Sequence, residues 1–429
     1  MRKGSQCVPL AMPGLLLRHG SWWPSAAVMS AALLLLAGGA ALLLLGQCPL
    51  PLLLLLLLLL VLLAACLLAP PPPAMFAVYS QPGPLYPLKW AAFRLLLALR
   101  SARAGRAASR EGAGYGVRSL ASAEQMERVQ PLADHPLALD SVWMQGVSPD
   151  GGWLVAGAAR RPAGRLDAVL LVGLPGVGTL CLPRHPDTVV AGGSGAFAGA
   201  GLRIWPEEPM RRWRVAFAGQ LRRHPSGQLV DVALDLRFTS NMPHFDYDTD
   251  MSAAAVSRAM AREPWSRQFF GRLRDAHQTH YEQLGTASGT VTVAGHQHAL
   301  RIGVVSQPYN FSRIELGYVY TPGAVRPIDW CDLELGYHGE QGTPPTDYGF
   351  SFGAGGRTYH VQVTVLEAHT VYCGADWEAR LLERPCRYRL DDQAGWGMAE
   401  WQYRHNGGRP ARYPLPPSEQ DGQPAAGDT

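Results

Sequence analysis

The sequence predicts a mainly β protein with two antiparallel β-barrel or sandwich domains, a helical segment joining them, and a transmembrane helix or helical hairpin before them. Three observations predict this fold class. Alternating apolar and polar residues recur in short runs between residues 124 and 405. The stretch 249–284 interrupts the alternation with helical spacing. Residues 22–69 are almost continuously apolar.

The clearest pair of predicted strands lies within residues 346–365. Its two halves, TDYGFSF and RTYHVQVTV, alternate with the period of two that is typical of a strand. The GAGG between them can supply the positive φ angles that a tight hairpin needs. We therefore expect a half-buried antiparallel sheet whose apolar face covers a core or lines a cavity.

The N-terminal apolar sequence consists of two runs, residues 22–45 and 50–69, separated by GQCP. Each run has close to the ~20 residues that cross a bilayer as a helix, and together they are far too long for a cleavable signal peptide. Two interpretations remain, a hairpin that returns to its starting side and a single span with extra apolar length. The basic residues between 89 and 110 favour the hairpin, with the soluble domains facing the cytoplasm.

The predicted organisation follows these changes in pattern. Within the linker, WAAFRLLLAL (residues 90–99) is either an interfacial helix at the membrane or a helix packed on the soluble domain. In the connector, Thr249, Asp250 or Ser252 can cap a helix that runs to about Arg262, and helical spacing continues to Tyr281. The segments are a basic N-terminus (1–21), the membrane segment (22–69), a Pro-rich and basic juxtamembrane linker (70–123), the first β domain (124–248), the helical connector (249–284), the second β domain (285–405) and a disordered tail (406–429).

Composition argues against several classes of function. The net charge is only +4, and no basic patch alternates with aromatic residues, so we expect no nucleic-acid partner. The seven cysteines include no C-x-x-C, which argues against a zinc site and a dense disulfide framework. Cys331, Cys373 and Cys386 lie in predicted strands and are expected to be buried free thiols. The oligomeric state is left open.

Short motifs that suggest chemistry have simpler explanations. GLPGVGT lacks the Lys-Ser/Thr ending of a phosphate loop and lies between strands. HQTHYE and HFDYDTD could contribute metal ligands, but neither has a complete ligand pattern, and helix packing and helix capping explain them better. We therefore predict that the protein binds no metal and no cofactor, and we assign no catalytic residue.

Candidate ligand-binding residues are those that combine an inward-facing strand position with a polar or aromatic side chain. Cavities for small ligands have apolar walls with a few polar groups that fix orientation. The alternative is that the same residues fill a closed core. The candidates are Arg211, Trp213, Asp329, Trp330, Tyr359, His360 and Trp396.

From about Val117 to Arg404 the chain resembles an animal family that is often labelled phosphoenolpyruvate-synthase-like. The resemblance is carried by motifs that include HPLALDSVWMQGVSPDGGWLV, EPMRRWRVAFAG, HQTHYEQLG, PIDWCDLELG, GTPPTDYGFSF and GWGMAEWQYR. It implies paired lipocalin-like barrels, related in fold to bacterial carotenoid hydratases and to a fungal survival factor linked to sphingolipid handling. The label derives from longer relatives that carry synthase domains. This sequence has no stretch resembling those domains, so we do not expect phosphoenolpyruvate synthase activity.

The chain departs from that family pattern at one place. Such proteins carry a segment resembling G-x-R-D-x-S-x-G-x-R-D-W soon after the GTVTV strand, whereas here SGTVTVAGHQHALRIGVVS continues without it. The second β domain is therefore expected to lack strands and to have an open edge.

Three hypotheses for function follow. The first is a membrane-anchored, non-enzymatic binding protein for an apolar or amphipathic, lipid-like ligand, with the bilayer contacted through residues 22–69. The second is a hydratase or isomerase acting on an isoprenoid-type substrate with polar barrel residues as acid or base. The third is a structural module or non-functional isoform with a filled core.

Overall fold

The structure is a computed structural model of the chain. The residues it describes are Leu54, Leu57, Leu58, Leu60, Val61 and the ranges 72–75, 79–104, 122–193, 195–247, 249–275, 280–304, 316–321, 324–333 and 343–417.

The described part of the chain is mainly β, as the sequence predicts. Its helices are α1 (Tyr86–Ala104), α2 (Ala123–Glu127), α3 (Ala253–Arg262) and α4 (Arg267–Asp275). Its strands are β1 (Asp140–Val147), β2 (Trp153–Arg160), β3 (Arg165–Leu174), β4 (Gly178–Cys181), β5 (Val189–Ala191), β6 (Ala198–Gly199), β7 (Leu202–Glu208), β8 (Arg212–His224), β9 (Leu229–Thr239), β10 (Phe245–Asp246), β11 (Tyr281–Glu282), β12 (Gly285–Val293), β13 (His296–Val304), β14 (Tyr318–Thr321), β15 (Ala324–Cys331), β16 (Asp347–Ala354), β17 (Arg357–Val365), β18 (His369–Cys373), β19 (Ala379–Leu390) and β20 (Gln393–Arg404).

The first sheet curls on itself into a barrel. Among the described residues its strands follow the order β4-β3-β2-β1-β13-β12-β9-β8, and β4 pairs again with β8. This last pairing joins Thr179–Cys181 to Arg222–His224 and closes the ring. Alternation directs one set of side chains inward along β9, where every second residue is buried. Large side chains including Met144, Trp213 and Phe238 fill the interior.

The strands β12 and β13 correct the predicted domain boundary. The sequence assigns residues 285–304 to the second β domain. In the structure β12 pairs with β9 along Thr286–Val293, and β13 returns beside β12 to meet β1. These two strands therefore complete the first barrel, because without them β1 and β9 would each have an unpaired edge.

The second sheet is open and smaller. Within the described residues its strands are β14, β15, β16, β17, β18, β19 and β20. Strand β19 pairs with β20 along one edge, and with β17 and β18 in turn along the other. The predicted hairpin is confirmed as β16 and β17, and its apolar face packs with Trp401 and Tyr403 of β20.

The two sheets pack face to face. Trp143 and Trp153 on the outer surface of the barrel contact Val371 and Leu381 of the second sheet. Gly157 makes room for this contact, since a Cβ there would lie 2.0 Å from the Trp143 ring. The arrangement combines a barrel with a sandwich-like interface.

Two buried aspartates, Asp167 and Asp187, form a polar junction between the sheets. The Asp167 carboxylate accepts a hydrogen bond from the Gly374 amide at 2.9 Å. The Asp187 carboxylate accepts from the Trp377 indole at 2.9 Å and from the Arg409 guanidinium at 2.9 Å. Because residues 374–377 follow β18, these bonds fix the second sheet on the barrel.

Arg409 belongs to a segment that the sequence predicts to be disordered. Residues 406–417 are instead ordered against the second sheet. The Arg409 guanidinium also donates to the Ala375 carbonyl, and the Tyr413 ring lies 5.1 Å from the Trp377 ring. The prediction of disorder from residue 406 is therefore wrong up to residue 417, and residues 418–429 lie outside the described part.

The helical connector is confirmed in its first half. Ser252 caps α3, and the helix ends at Arg262 as the sequence predicts. Helical spacing does not continue to Tyr281, which lies in β11, paired with β10. The buried environment of Tyr281 explains the difference, because tertiary packing overrides local periodicity.

Helix α1 occupies part of the predicted linker. Its Phe93 and Leu97 pack against Val256 and Met260 of α3 and Phe269 of α4. Packing of α1 on the folded chain, one of the two alternatives for residues 90–99, is therefore observed.

The predicted membrane segment, residues 22–69, lies outside the described part except for Leu54, Leu57, Leu58, Leu60 and Val61. The helices that are described include none with the length and apolar character that crossing a bilayer requires.

Candidate functional site

A cleft of about 360 Å³ lies between α2 and β7 on the first barrel. Its size falls within the range of small-molecule cavities, which runs from roughly 300 to 1,000 Å³. One side is formed by α2 and the residues after it, and the other by β7 and the loop before β6. The lining residues are Glu124, Glu127, Arg128, Val129, Gly195, Ala196, Phe197, Arg203, Ile204, Trp205, Pro206 and Pro209.

Local sequence fixes the position of α2. Ser122 and Gln125 form a capping box, in which each side chain accepts a hydrogen bond from the other residue's amide, at 3.3 and 2.8 Å. After the helix, the Gln130 amide donates to the Asp140 carboxylate at 2.7 Å, and Asp140 also pairs with Arg160. The short helix is thus attached at both ends, which holds Glu127 against the barrel.

Glu127 forms the polar base of the cleft. Its side chain is buried, with only 2% of the residue exposed. Its Oε1 accepts a hydrogen bond from the Trp213 indole at 2.8 Å and another from the Tyr281 hydroxyl at 2.9 Å. Burial and the neighbouring Glu127 carboxylate raise the pKa of Tyr281 well above its usual value, so Tyr281 stays a hydrogen-bond donor.

The wall and the rim of the cleft differ in polarity. Ile204, Trp205 and Pro206 on β7 provide an apolar wall, which Phe197 extends from the loop. Arg203 stacks on Trp205, with its guanidinium 4.8 Å from the ring centroid. Among the described residues neither Arg203 nor Arg128, both at the rim, forms a salt bridge.

The arrangement suits an amphipathic molecule with an apolar body and a polar end, since the lining carries two arginines and two glutamates. Apolar walls bind the body, and the guanidinium groups are suited to bind carboxylate or phosphate oxygens. No group of three His, Cys, Asp or Glu side chains in the described ranges could hold a metal ion.

A family model matches most of this chain. It covers residues 52–303 and 295–403 in two matches and is described as a family of unknown function, DUF8627. The chain belongs to the DUF8627 family. The two matches overlap at residues 295–303, that is, at the turn before β13 and along most of that strand. No curated protein and no solved structure matches the chain.

The structure of this DUF8627 member does not bring the seven predicted ligand residues together. Trp213 fills the barrel interior, from which its indole donates a hydrogen bond to Glu127. Arg211 is exposed in the turn between β7 and β8, 3.6 Å from the Glu208 carboxylate. Tyr359 is buried among the apolar side chains of β16, β17 and β20, with its ring stacked 5.0 Å from Phe352.

The other predicted residues lie elsewhere on the second sheet. Asp329 accepts a hydrogen bond from the Ser252 hydroxyl at 2.6 Å and thereby links β15 to α3. Trp330 is 37% exposed. His360 lies on the exposed face of β17, with its Nδ1 3.1 Å from the Ser351 hydroxyl. Trp396 packs at the interface between the sheets beneath the Arg387 guanidinium.

Sequence reasoning missed Glu127, Tyr281 and the rim arginines of the DUF8627 cleft. One signal was present. The sequence Ser122-Ala123-Glu124-Gln125 is a capping box, which predicts a helix that includes Glu127. No local pattern indicates that Tyr281, more than 150 positions later, reaches the same carboxylate.

Proposed function

We propose that this chain is a membrane-anchored, non-enzymatic binding protein for an amphipathic, lipid-like molecule. The observation that supports the proposal is the cleft between α2 and β7, with its apolar wall and the two rim arginines, Arg128 and Arg203. The bilayer contact would come from residues 22–69, with the folded domains on the cytoplasmic side. The ligand would be taken from that bilayer.

The first barrel offers this ligand its outer cleft and not its interior. Side chains of Met144, Trp213 and Phe238 occupy the interior and are each almost fully buried. An apolar chain in the cleft would lie along Trp205 and Pro206, where each methylene removed from water contributes about 0.8 kcal/mol. Its polar end would lie near Arg203 and Arg128.

The test is lipid analysis of the full chain purified in a mild detergent. Mass spectrometry should find co-purified lipid with the wild type, and Trp205→Ala or Arg203→Glu should reduce that lipid by about tenfold, since an apolar side chain or a charge-assisted hydrogen bond is worth about 1.5 kcal/mol. Trp330→Ala removes a comparable, partly exposed tryptophan far from the cleft and serves as the control. A wild type without lipid, or equal retention by all variants, would refute the proposal.

A second candidate function is a hydratase or isomerase acting on an isoprenoid-like substrate. The observation that favours it is the buried Glu127 carboxylate at the base of the cleft, oriented by Trp213 and Tyr281. A carboxylate so placed could act as a general acid or base. If the chain is such an enzyme, Glu127→Gln should abolish turnover of the substrate and leave lipid retention intact. If the chain is only a binding protein, neither the wild type nor the variant should turn over the substrate.

A further inference from the structure

Helix α1 is apolar on two opposite faces. One face packs on the folded chain: Leu97 is only 3% exposed and contacts α3 and α4 together with Phe93. The other face is turned away from the protein. Residues Leu88, Leu95 and Leu99 follow one another there at helical spacing, at 59%, 61% and 50% exposure.

Leu96, at 46% exposure, flanks this outward face, whereas Trp90, at 40% exposure, lies on the side of the helix that carries Leu97. The Trp265 ring lies 6.3 Å from the Phe93 ring and 6.2 Å from the Phe270 ring. Trp265 and Phe270 are each more than a third exposed. The described residues therefore present an exposed leucine stripe on α1, and Trp265 and Phe270 are exposed at the junction of α1 with α4; exposed apolar surface of this kind marks an interaction site.

Charge and chain connectivity indicate what covers this surface. The exposed Arg94 and Arg100 lie on either side of the leucine stripe, so the same face on a second copy would be repelled and an anionic surface attracted. The apolar run of residues 22–69 ends 17 positions before Tyr86, which is at most about 60 Å of extended chain. Backbone pairing of Met75 with Tyr79 shortens that reach.

We propose that the outward face of α1, formed by Leu88, Leu95 and Leu99, lies in the interfacial layer of a lipid bilayer. Interfacial helices combine an apolar face with flanking Lys or Arg, as Arg94 and Arg100 flank this leucine stripe. The proposal rests on insertion of residues 22–69, which is part of the proposed function, but it concerns a different surface from the ligand cleft.

Photo-crosslinking tests this proposal on the full chain. The protein is reconstituted in phosphatidylcholine and phosphatidylserine vesicles that contain a phospholipid with a diazirine in its acyl chain, and labelled peptides are identified by mass spectrometry. Label is expected on residues 88–99 as well as on the N-terminal run. The double variant Leu95→Glu and Leu99→Glu should reduce label on α1 by about tenfold or more, because the burial of each leucine is worth about that factor.

Matched controls keep the outcome unambiguous. Leu229→Glu changes an exposed leucine on the barrel, at 48% exposure, and should leave the label on α1 unchanged. An unchanged melting temperature for the double variant excludes unfolding. Three results would overturn the proposal: label confined to the N-terminal run, no label anywhere, or a leucine-dependent dimer without lipid adducts on α1. Lipid retention in the cleft, measured with Trp205→Ala, reports separately on the proposed function.

Discussion

The buried ion pair between Asp187 and Arg409 should stabilise the packing of the second sheet and the C-terminal segment on the barrel. Its side chains are 0% and 8% exposed, and the two groups are 2.9 Å apart. Removing one partner of a buried pair leaves an uncompensated charge and typically costs about 3–5 kcal/mol. We expect Asp187→Ala to lower the free energy of unfolding by an amount in this range.

The structure offers a matched comparison at the same carboxylate. Arg184 also pairs with Asp187, at 2.5 Å, but its side chain is 36% exposed. An exposed pair contributes about 0–1 kcal/mol. We therefore expect Arg184→Met to cost less than about 1 kcal/mol and Arg409→Met to cost more, because the buried Arg409 also donates to the Ala375 and Tyr413 carbonyls.

The assay is urea unfolding of the full chain in detergent, followed by tryptophan fluorescence and by limited trypsin digestion. Loss of Arg409 should also expose residues 406–417 to cleavage at Arg412 under native conditions. Equal costs for the two arginine substitutions would refute the argument that burial determines the value of the pair. A cost below about 1 kcal/mol for Asp187→Ala would do the same.

Three further predictions concern other parts of the fold. Burial and two neighbouring histidines lower the pKa of His185 to about 4. The unfolded state therefore binds more protons than the native state below pH ~6.5. The free energy of unfolding should fall as the pH drops from there towards 4, and His185→Asn should flatten that pH dependence in thermal unfolding. Burial raises the pKa of Cys373, so iodoacetamide should modify the half-buried Cys331 before Cys373 in the native state. Peptide mass spectrometry should find Cys373 labelled only after denaturation. Gly157→Ala should destabilise the interface between the sheets by about 2 kcal/mol or more through its clash with the Trp143 ring, whereas Gly271→Ala, with open space around it in α4, should raise the melting temperature slightly.

Local sequence patterns predicted the helices and strands better than they predicted which strands pair with each other. The alternation in β16 and β17 and the cap at Ser252 depend on neighbouring residues, and the structure confirms both. The boundary at residue 285 was wrong because strand pairing is non-local. Nothing in the sequence of β12 indicates whether it pairs with β9, as it does, or with a strand of the second sheet.

The candidate site was less predictable for the same reason. Trp213 was selected as an inward-facing aromatic residue, and it fills the barrel interior, where it donates to Glu127. Its partner Glu127 lies on a five-residue helix that the alternation of the strands does not predict. Asp329 and His360 have inward-facing potential in sequence, yet one links to a helix cap and the other faces outward. Side-chain chemistry alone therefore does not identify a shared cavity.

The position of β13 in the first barrel has a consequence for synthesis of the protein on the ribosome. Strand β1 ends at Val147, and β13, which pairs with its other edge, begins only at His296. The edges of β1 and β9 stay open while the intervening chain is translated, and such edges favour aggregation. Pairings this distant in sequence also form slowly. Completion of the barrel must wait until residue 304 has left the ribosomal tunnel, which makes the nascent chain a natural client for chaperones.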